Sequence, residues 1–173
     1  MSRNKYIDNN IIYLSEYIES DYRFLYDTWY EDETVLGYNW KMPYSFDDYC
    51  SNFVNSKSSY WEAVIIRCED NIIIGRIGLS ADIPDLTIAI FKEYRNQQYG
   101  KMAFSLGIKY CFETLEMEKI YAGCFEGNGP SRKMIEQCGF IRNPDGDTVE
   151  PHIFTGKNRL QIDYVLENPR YSK

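Results

Sequence analysis

The sequence predicts a mixed α/β (α+β) domain in which a largely antiparallel central sheet is flanked by helices. Three observations carry this reading. β-branched runs fill the middle of the chain at residues 61–67 (WEAVIIR) and 72–79 (IIIGRIGL), and Glu69-Asp70-Asn71 between them is a turn signal. Helix signals dominate the part before residue 60. From residue 86 onward the patterns alternate as strand, helix, strand, helix, strand. The length of 173 residues suits one domain spanning 1–173. No repeat, low-complexity tract or Pro/Gly/Ser linker divides it.

Each element has its own local reason. Residues 11–13 form a short apolar strand. Ser20 and Asp21 are N-cap candidates for a helix reaching about Trp29. A short helix is expected over 31–36. Ser45 caps another from 46 to about 56, with Asp47 and Asp48 in the first turn, where carboxylates suit the helix dipole. Residues 86–91 (LTIAIF) make the third strand of the middle region, and a polar break follows over 92–98.

The next helix spans 99 to about 114. Its apolar or small residues Met102, Ala103, Leu106, Gly107, Tyr110 and Cys111 recur three and four apart, which is one face of a 3.6-residue period. Residues 119–125 are a strand. Residues 130–138 are a short helix with Pro130 in its first turn and Gly139 just past its end. Met134, Ile135 and Cys138 make its buried stripe. The tail, 153–166, reads as a hairpin turning at Gly156-Lys157-Asn158.

Composition narrows the function. The formal net charge is -7, which argues against a nucleic-acid partner, because such binding draws on clustered positive charge. An acidic chain suits a cationic substrate, though acidity also serves solubility. The cysteines Cys50, Cys68, Cys111, Cys124 and Cys138 include no C-x-x-C pair and are odd in number, so they read as free thiols of a reducing cytosol. With His152 as the one histidine, a His/Cys metal site is not expected. Residues 1–10 are polar and lack the apolar core of a signal peptide. No apolar run is long enough to cross a membrane. A cytoplasmic protein is therefore expected.

The stretch that carries chemistry is 86–102 (LTIAIFKEYRNQQYGKM): a buried strand, a polar loop, then a helix beginning at Tyr99-Gly100. The first N–H groups of a helix lack internal partners and point outward with the positive end of the dipole, which makes a site for phosphate oxygens. Gly100 lets the backbone approach a bulky anion, and Arg95 and Lys101 add positive charge. An ordinary solvated helix start is the competing reading. A P-loop is excluded, since Arg95 stands where its first glycine belongs and Met102 follows Lys101. Downstream, Glu126-Gly-Asn-Gly-Pro-Ser131 precedes a helix ending at Gly139-Phe140. Asn128 and Ser131 either cap that helix or present polar groups near the top of the sheet.

Together these residues resemble the GNAT superfamily of N-acetyltransferases. Its acetyl-CoA signature, Arg/Gln-x-x-Gly-x-Gly/Ala after a strand, corresponds to Arg95-Asn-Gln-Gln98-Tyr-Gly100. Its next block, Asn-x-x-Ser/Ala ending in Gly-Phe, corresponds to Asn128-Gly-Pro-Ser131 and Gly139-Phe140. The N-terminal part and the closing Gln161-Ile-Asp-Tyr-Val-Leu166 look like the branch that holds ribosomal-protein N-terminal, polyamine and some aminoglycoside acetyltransferases. The departure is Gln98, where the motif has its first glycine.

The resemblance implies the acyl-CoA N-acyltransferase (GNAT) fold, acetyl-CoA as co-substrate and no metal. It implies that the backbone of Ile88, Ala89 and Ile90 bonds the pantetheine arm. Arg95, Asn96, Gln97, Gln98, Tyr99, Gly100 and Lys101 would wrap the pyrophosphate, Asn128 would contact the arm, and Ser131 would lie near the sulfur. The acceptor would be a primary amine on a peptide N-terminus, polyamine, aminoglycoside or small metabolite. Ile135 stands where many relatives carry an acidic Tyr, which leaves Ser131 as the candidate donor to the leaving thiolate. Glu126 and Asp85 are the candidate bases, with His152 behind them. Trp29, Tyr30, Tyr38, Trp40 and Tyr44 beside Glu31, Asp32 and Glu33 make either an aromatic, acidic cleft for a cation or core aromatics beside a solvated turn. A non-catalytic acyl-CoA sensor or an interaction module on the same fold is the alternative to an enzyme. Monomer and homodimer both stay open.

Overall fold

A computed structural model describes residues 3–30, 45–51, 59–153 and 155–171. Among them the chain forms β1 (Lys5–Asp8), β2 (Ile12–Ser15), α1 (Asp21–Tyr30), α2 (Phe46–Tyr49), β3 (Ser59–Arg67), β4 (Ile73–Ser80) and β5 (Leu86–Ile90). A 3-10 turn, Lys92–Tyr94, leads to α3 (Tyr99–Glu113), then β6 (Lys119–Phe125) and α4 (Gly129–Gln137). The chain closes with β7 (Ile141–Arg142), β8 (Thr148–Pro151) and β9 (Asn158–Glu167).

The single central sheet expected from the sequence is two sheets. One is five-stranded and antiparallel, in the order β1-β2-β3-β4-β5; the other runs β6-β9-β7, with β8 also paired to β9. They meet edge to edge at β5 and β6. One parallel bridge, Asp85 to Tyr121, joins those strands, supported by the Tyr121 N–H donating to the Pro84 carbonyl at 2.9 Å. Beyond it no ladder connects them among the described residues, and a wedge opens between them.

Helices cover both faces, which is why β3 buries consecutive residues, Ala63 to Ile66, rather than alternate ones. On one face α3 lays Ala103, Phe104, Leu106 and Cys111 against Ile12, Leu14, Ile65, Ile77, Leu86 and Ile120. Gly107 allows this close approach, since a Cβ there would collide with Ile77 Cδ1. On the other face α1 and α2 set Leu25, Tyr26, Trp29 and Tyr49 against Val64, Ile66, Ala89 and Phe91. The three-layer arrangement matches the expected fold class.

Several local expectations change. β1 was not anticipated: its burial is slight, and its pairing comes from Asn9, whose Oδ1 accepts the N–H groups of Ile11 and Ile12 and reverses the chain. The C-terminal hairpin begins at Thr148, not at 153, and pairs Pro151 with Asn158. Residue 153 cannot lie in its first arm because the chain already turns at His152, whose carbonyl accepts from Thr155 and Gly156. Of the helix expected over 46–56, α2 covers Phe46–Tyr49 and a π turn continues it over 50–51, and residues 52–58 lie outside the described set. The helix expected over 31–36 also lies outside it. Within α3 the inward face also holds Phe104, which packs on Phe140 with centroids 5.6 Å apart.

Candidate functional site

The wedge is where β5 leaves backbone groups without a partner strand. The Phe91 N–H donates to the Ile74 carbonyl at 2.9 Å, and the Asp85 carbonyl accepts from Ser80 at 3.1 Å, so both residues face β4. Successive residues of a strand turn their backbone groups to opposite edges. Ala89 therefore faces β4 as well, opposite Arg76 in the register. Ile88 and Ile90 turn theirs toward the wedge. The Ile90 carbonyl accepts from Arg95 Nε at 2.8 Å, which folds the arginine back onto the strand end.

The loop into α3 is bent by two residues of positive φ, Asn96 at 62° and Gln98 at 65°. Gln98 is the N-cap of α3 and makes no side-chain cap hydrogen bond. It holds the left-handed conformation that a glycine adopts freely and an L-residue adopts at a cost of about 1–2 kcal/mol. That explains why the motif has glycine there. Among the described residues no acceptor takes the backbone N–H groups of residues 96–101, so the N-terminus of a 15-residue helix presents open donors. A Cβ on Gly100 would meet only Ile90 Cγ1 and Met134 Sδ, each at 3.6 Å. That is ordinary contact, so packing does not demand the glycine; its value is the room it leaves.

A cleft of about 340 Å³ follows, lined by Ile88, Ile90, Tyr94, Arg95, Asn96, Gly100, Asn128, Pro130, Ser131 and Met134. These residues fit a diphosphate-bearing arm: open N–H groups and a guanidinium at one end, a free strand edge along the side, and apolar Ile and Met walls between. Asn128 caps α4 through its Oδ1, which accepts the Ser131 N–H at 3.3 Å. The capping role weighed from sequence is thus realised, and the Asn128 side chain still lines the cleft.

The cleft continues into a second chamber of about 150 Å³ at the base of the wedge, sharing Ile88, Asn128, Ser131 and Met134 with it. Asp85, Thr87, Phe104, Gly123, Phe125 and Gln161 are among its other walls, as is Ile135. The Asp85 Oδ1 is buried with no hydrogen-bond partner among the described protein atoms. Burial, and then the charge of Asp163, push its carboxyl up to about 6. Ile135 is 2% exposed and part of the core, as an apolar residue in place of a tyrosine should be.

Of the residues expected from sequence, the structure gathers Ile88, Ile90, Arg95, Asn96, Gly100, Asn128 and Ser131 around the cleft and Asp85 around the inner chamber. Gln98 and Lys101 lie instead on a depression with Asn9, Met102 and Lys109. The Gln97 amide nitrogen donates to the Glu93 carbonyl at 3.0 Å. Glu126 sits on an exposed turn and lines neither chamber. His152 is buried in its own turn, Nδ1 3.3 Å from Thr155 Oγ1. Trp29 belongs to the core, edge-on to Phe91 at 6.0 Å. Tyr38, Trp40, Tyr44 and the acidic run 31–33 lie outside the described residues, as does the Tyr30 side chain.

Tyr94, Pro130, Met134 and Gln161 were not anticipated as site residues. Met134 read as core stripe and Pro130 as a helix start. Nothing in the local sequence marks Gln161, whose position depends on which residue of β6 it faces.

Among the described residues no group of His, Cys, Asp and Glu could hold a metal ion, and no helix is long and apolar enough to cross a membrane. The cysteines are free. No curated protein matches the sequence. Solved structures of similar shape include spermidine N-acetyltransferase from Vibrio cholerae in complex with CoA and spermine, at a TM-score of 0.79 and 18% identity, covering 94% of this chain and 99% of that one. A GNAT-family acetyltransferase from Bacillus anthracis aligns at a TM-score of 0.77 and 18% identity, covering 94% and 98%. A dodecameric form of the Vibrio cholerae spermidine enzyme aligns at 0.73 and 20% identity, covering 94% and 97%. At these identities the likeness speaks for the fold. The sequence itself matches the acetyltransferase (GNAT) domain over residues 12–141, and the chain belongs to that family of acyltransferases, whose co-substrate is acetyl-CoA.

Proposed function

We propose that the protein transfers the acetyl group of acetyl-CoA to a primary amine, with Asp85 as the base. The observation that carries this is the continuity of the two chambers: Ile88, Asn128, Ser131 and Met134 line both, so an arm in the outer cleft ends beside the Asp85 carboxyl. The loop from Arg95 to Lys101 and the first turn of α3 hold the diphosphate. The outward backbone of Ile88 and Ile90 holds the arm and fixes the thioester carbonyl, and an N–H beside that carbonyl stabilises charge as it develops on oxygen. Holding both reactants in line supplies much of the rate.

In the reaction the neutral amine attacks the thioester carbonyl carbon. The N–C bond forms, the C–S bond breaks, and coenzyme A leaves as a thiolate. The proton shed by nitrogen goes to the Asp85 carboxylate, and the Ser131 hydroxyl donates a hydrogen bond to the departing sulfur. A carboxyl near 6 is ionised at neutral pH yet more basic than an exposed aspartate, which suits proton abstraction. Glu126 is set aside because it lines neither chamber.

Thiol release from acetyl-CoA should be followed with a panel of amines: spermidine and spermine first, since the Vibrio cholerae structure bears that name and ligand, then peptide α-amines, an aminoglycoside and simple alkylamines. The expected result is amine-dependent release with an acetylated product. Asp85→Asn should lower kcat by about 10²–10⁴-fold, the usual worth of a positioned base. Absence of amine-dependent release across the panel would refute the reading.

A further inference from the structure

The inner chamber reaches through the wedge, beyond the side that the outer cleft occupies. In β5, Leu86, Ile88 and Ile90 belong to the core under α3, whereas Ala89 belongs to the core under α1. Strand alternation puts Asp85 and Thr87 on the α1 side with Ala89. In β6, Ile120, Ala122 and Cys124 belong to the α3 core. Tyr121, Gly123 and Phe125 therefore face the other way. The register pairs Gly123 with Asp163 and Phe125 with Gln161, so Gln161 shares that second face. The inner chamber thus passes through the split, from Ser131, Met134 and Phe104 on the helix side to Asp85, Gly123 and Gln161 on the far side.

On that far side two residues carry acceptors without donors. Asp85 and Gln161 both line the chamber, the Asp85 Oδ1 and Gln161 Oε1 atoms are both buried, and neither atom has a hydrogen-bond partner among the described protein atoms. A buried acceptor left unmet is destabilising, so two of them on the walls of one small space are a feature to be explained. Gly123 sets the geometry. A Cβ there would collide with the Gln161 amide nitrogen, so the glycine is what lets the Gln161 amide lie across β6. The chamber has room for roughly five water volumes, enough for a reacting nitrogen and acetyl group but not for a bulky substituent.

We infer that Gln161 is a specificity-determining residue: its side-chain carbonyl accepts the second N–H of the acceptor amine while Asp85 takes the first, so that the site selects primary over secondary amines. This rests on the acetyl-transfer reading above. A primary amine brings two N–H groups and its lone pair to attack; an N-methyl amine brings one N–H and a methyl group that would meet the Gln161 oxygen.

The test compares kcat/KM for n-butylamine and N-methylbutylamine in the wild type, Gln161→Met and Gln161→Glu. The first variant keeps length and loses the acceptor; the second keeps an acceptor. Expected are a preference for n-butylamine in the wild type, a fall of about tenfold or more for it in Gln161→Met, the worth of one hydrogen bond in the transition state, and little change for N-methylbutylamine. Gln161→Glu should keep the primary-amine preference. The KM for acetyl-CoA should stay within about twofold, because Gln161 is not in the outer cleft. Equal losses for both amines, or none, would overturn the role of Gln161 while leaving acetyl transfer intact. A wild type that acetylates other amines of the panel but not n-butylamine would overturn it likewise. A wild type that releases no thiol with any amine overturns the underlying reaction instead, and the two failures are told apart by that first measurement. Thermal melts of both variants separate misfolding from loss of recognition.

Discussion

Asp85 is bridged in parallel to Tyr121, and past that pair β5 and β6 part company. The position places a carboxyl at the apex of the wedge, shielded from water and within range of a second carboxylate, Asp163. A charge held there is costly, and the cost is the source of its basicity.

This has a measurable sign. Asp85 is raised from an ordinary 3.8 to about 6 in the folded chain. The unfolded chain loses this proton first as pH rises. The stability that goes with a neutral Asp85 is therefore complete below about pH 4 and gone above about pH 6, a difference of about 3 kcal/mol. Asp85→Asn should melt at a higher temperature than the wild type at pH 8 and at the same temperature at pH 4. Asp8, Asp70, Asp147 and Glu136, whose partners hold them below the ordinary range, act in the opposite direction but cancel in the comparison. Activity should rise with pH through an inflection near 6.

Gln98 carries the strain of a missing glycine. Gln98→Gly should stabilise the fold by up to about 1 kcal/mol, the left-handed penalty less the extra chain entropy that glycine restores to the unfolded state. Because the Gln98 side chain lies outside the outer cleft, the KM for acetyl-CoA should change by less than about twofold. Denaturant titration and initial rates check the two halves.

Gly100 makes the opposite case. Its Cβ space is compatible with the fold but opens onto the cleft. Gly100→Ala should leave stability unchanged or improve it by up to about 1 kcal/mol through helix propensity. Calorimetric affinity for acetyl-CoA should fall by about tenfold, as a methyl group displaces a phosphate from the α3 N–H groups.

The sequence by itself determined which segments become strands and helices over most of the described chain, and which loop could grip a diphosphate. Those properties are local: β-branched runs, a helical period, a proline before and a glycine after a helix, and donors left open at a helix start. The tertiary structure alone decided that Asp85, not Glu126, enters the chamber, that Gln161 joins it, that Gln98 and Lys101 face away, and that the sheet divides. Each depends on register across strands distant in sequence, such as Phe125 with Gln161 and Asp85 with Tyr121. A shift of one residue would send each side chain to the other face, and no local pattern records which register the packed core selects.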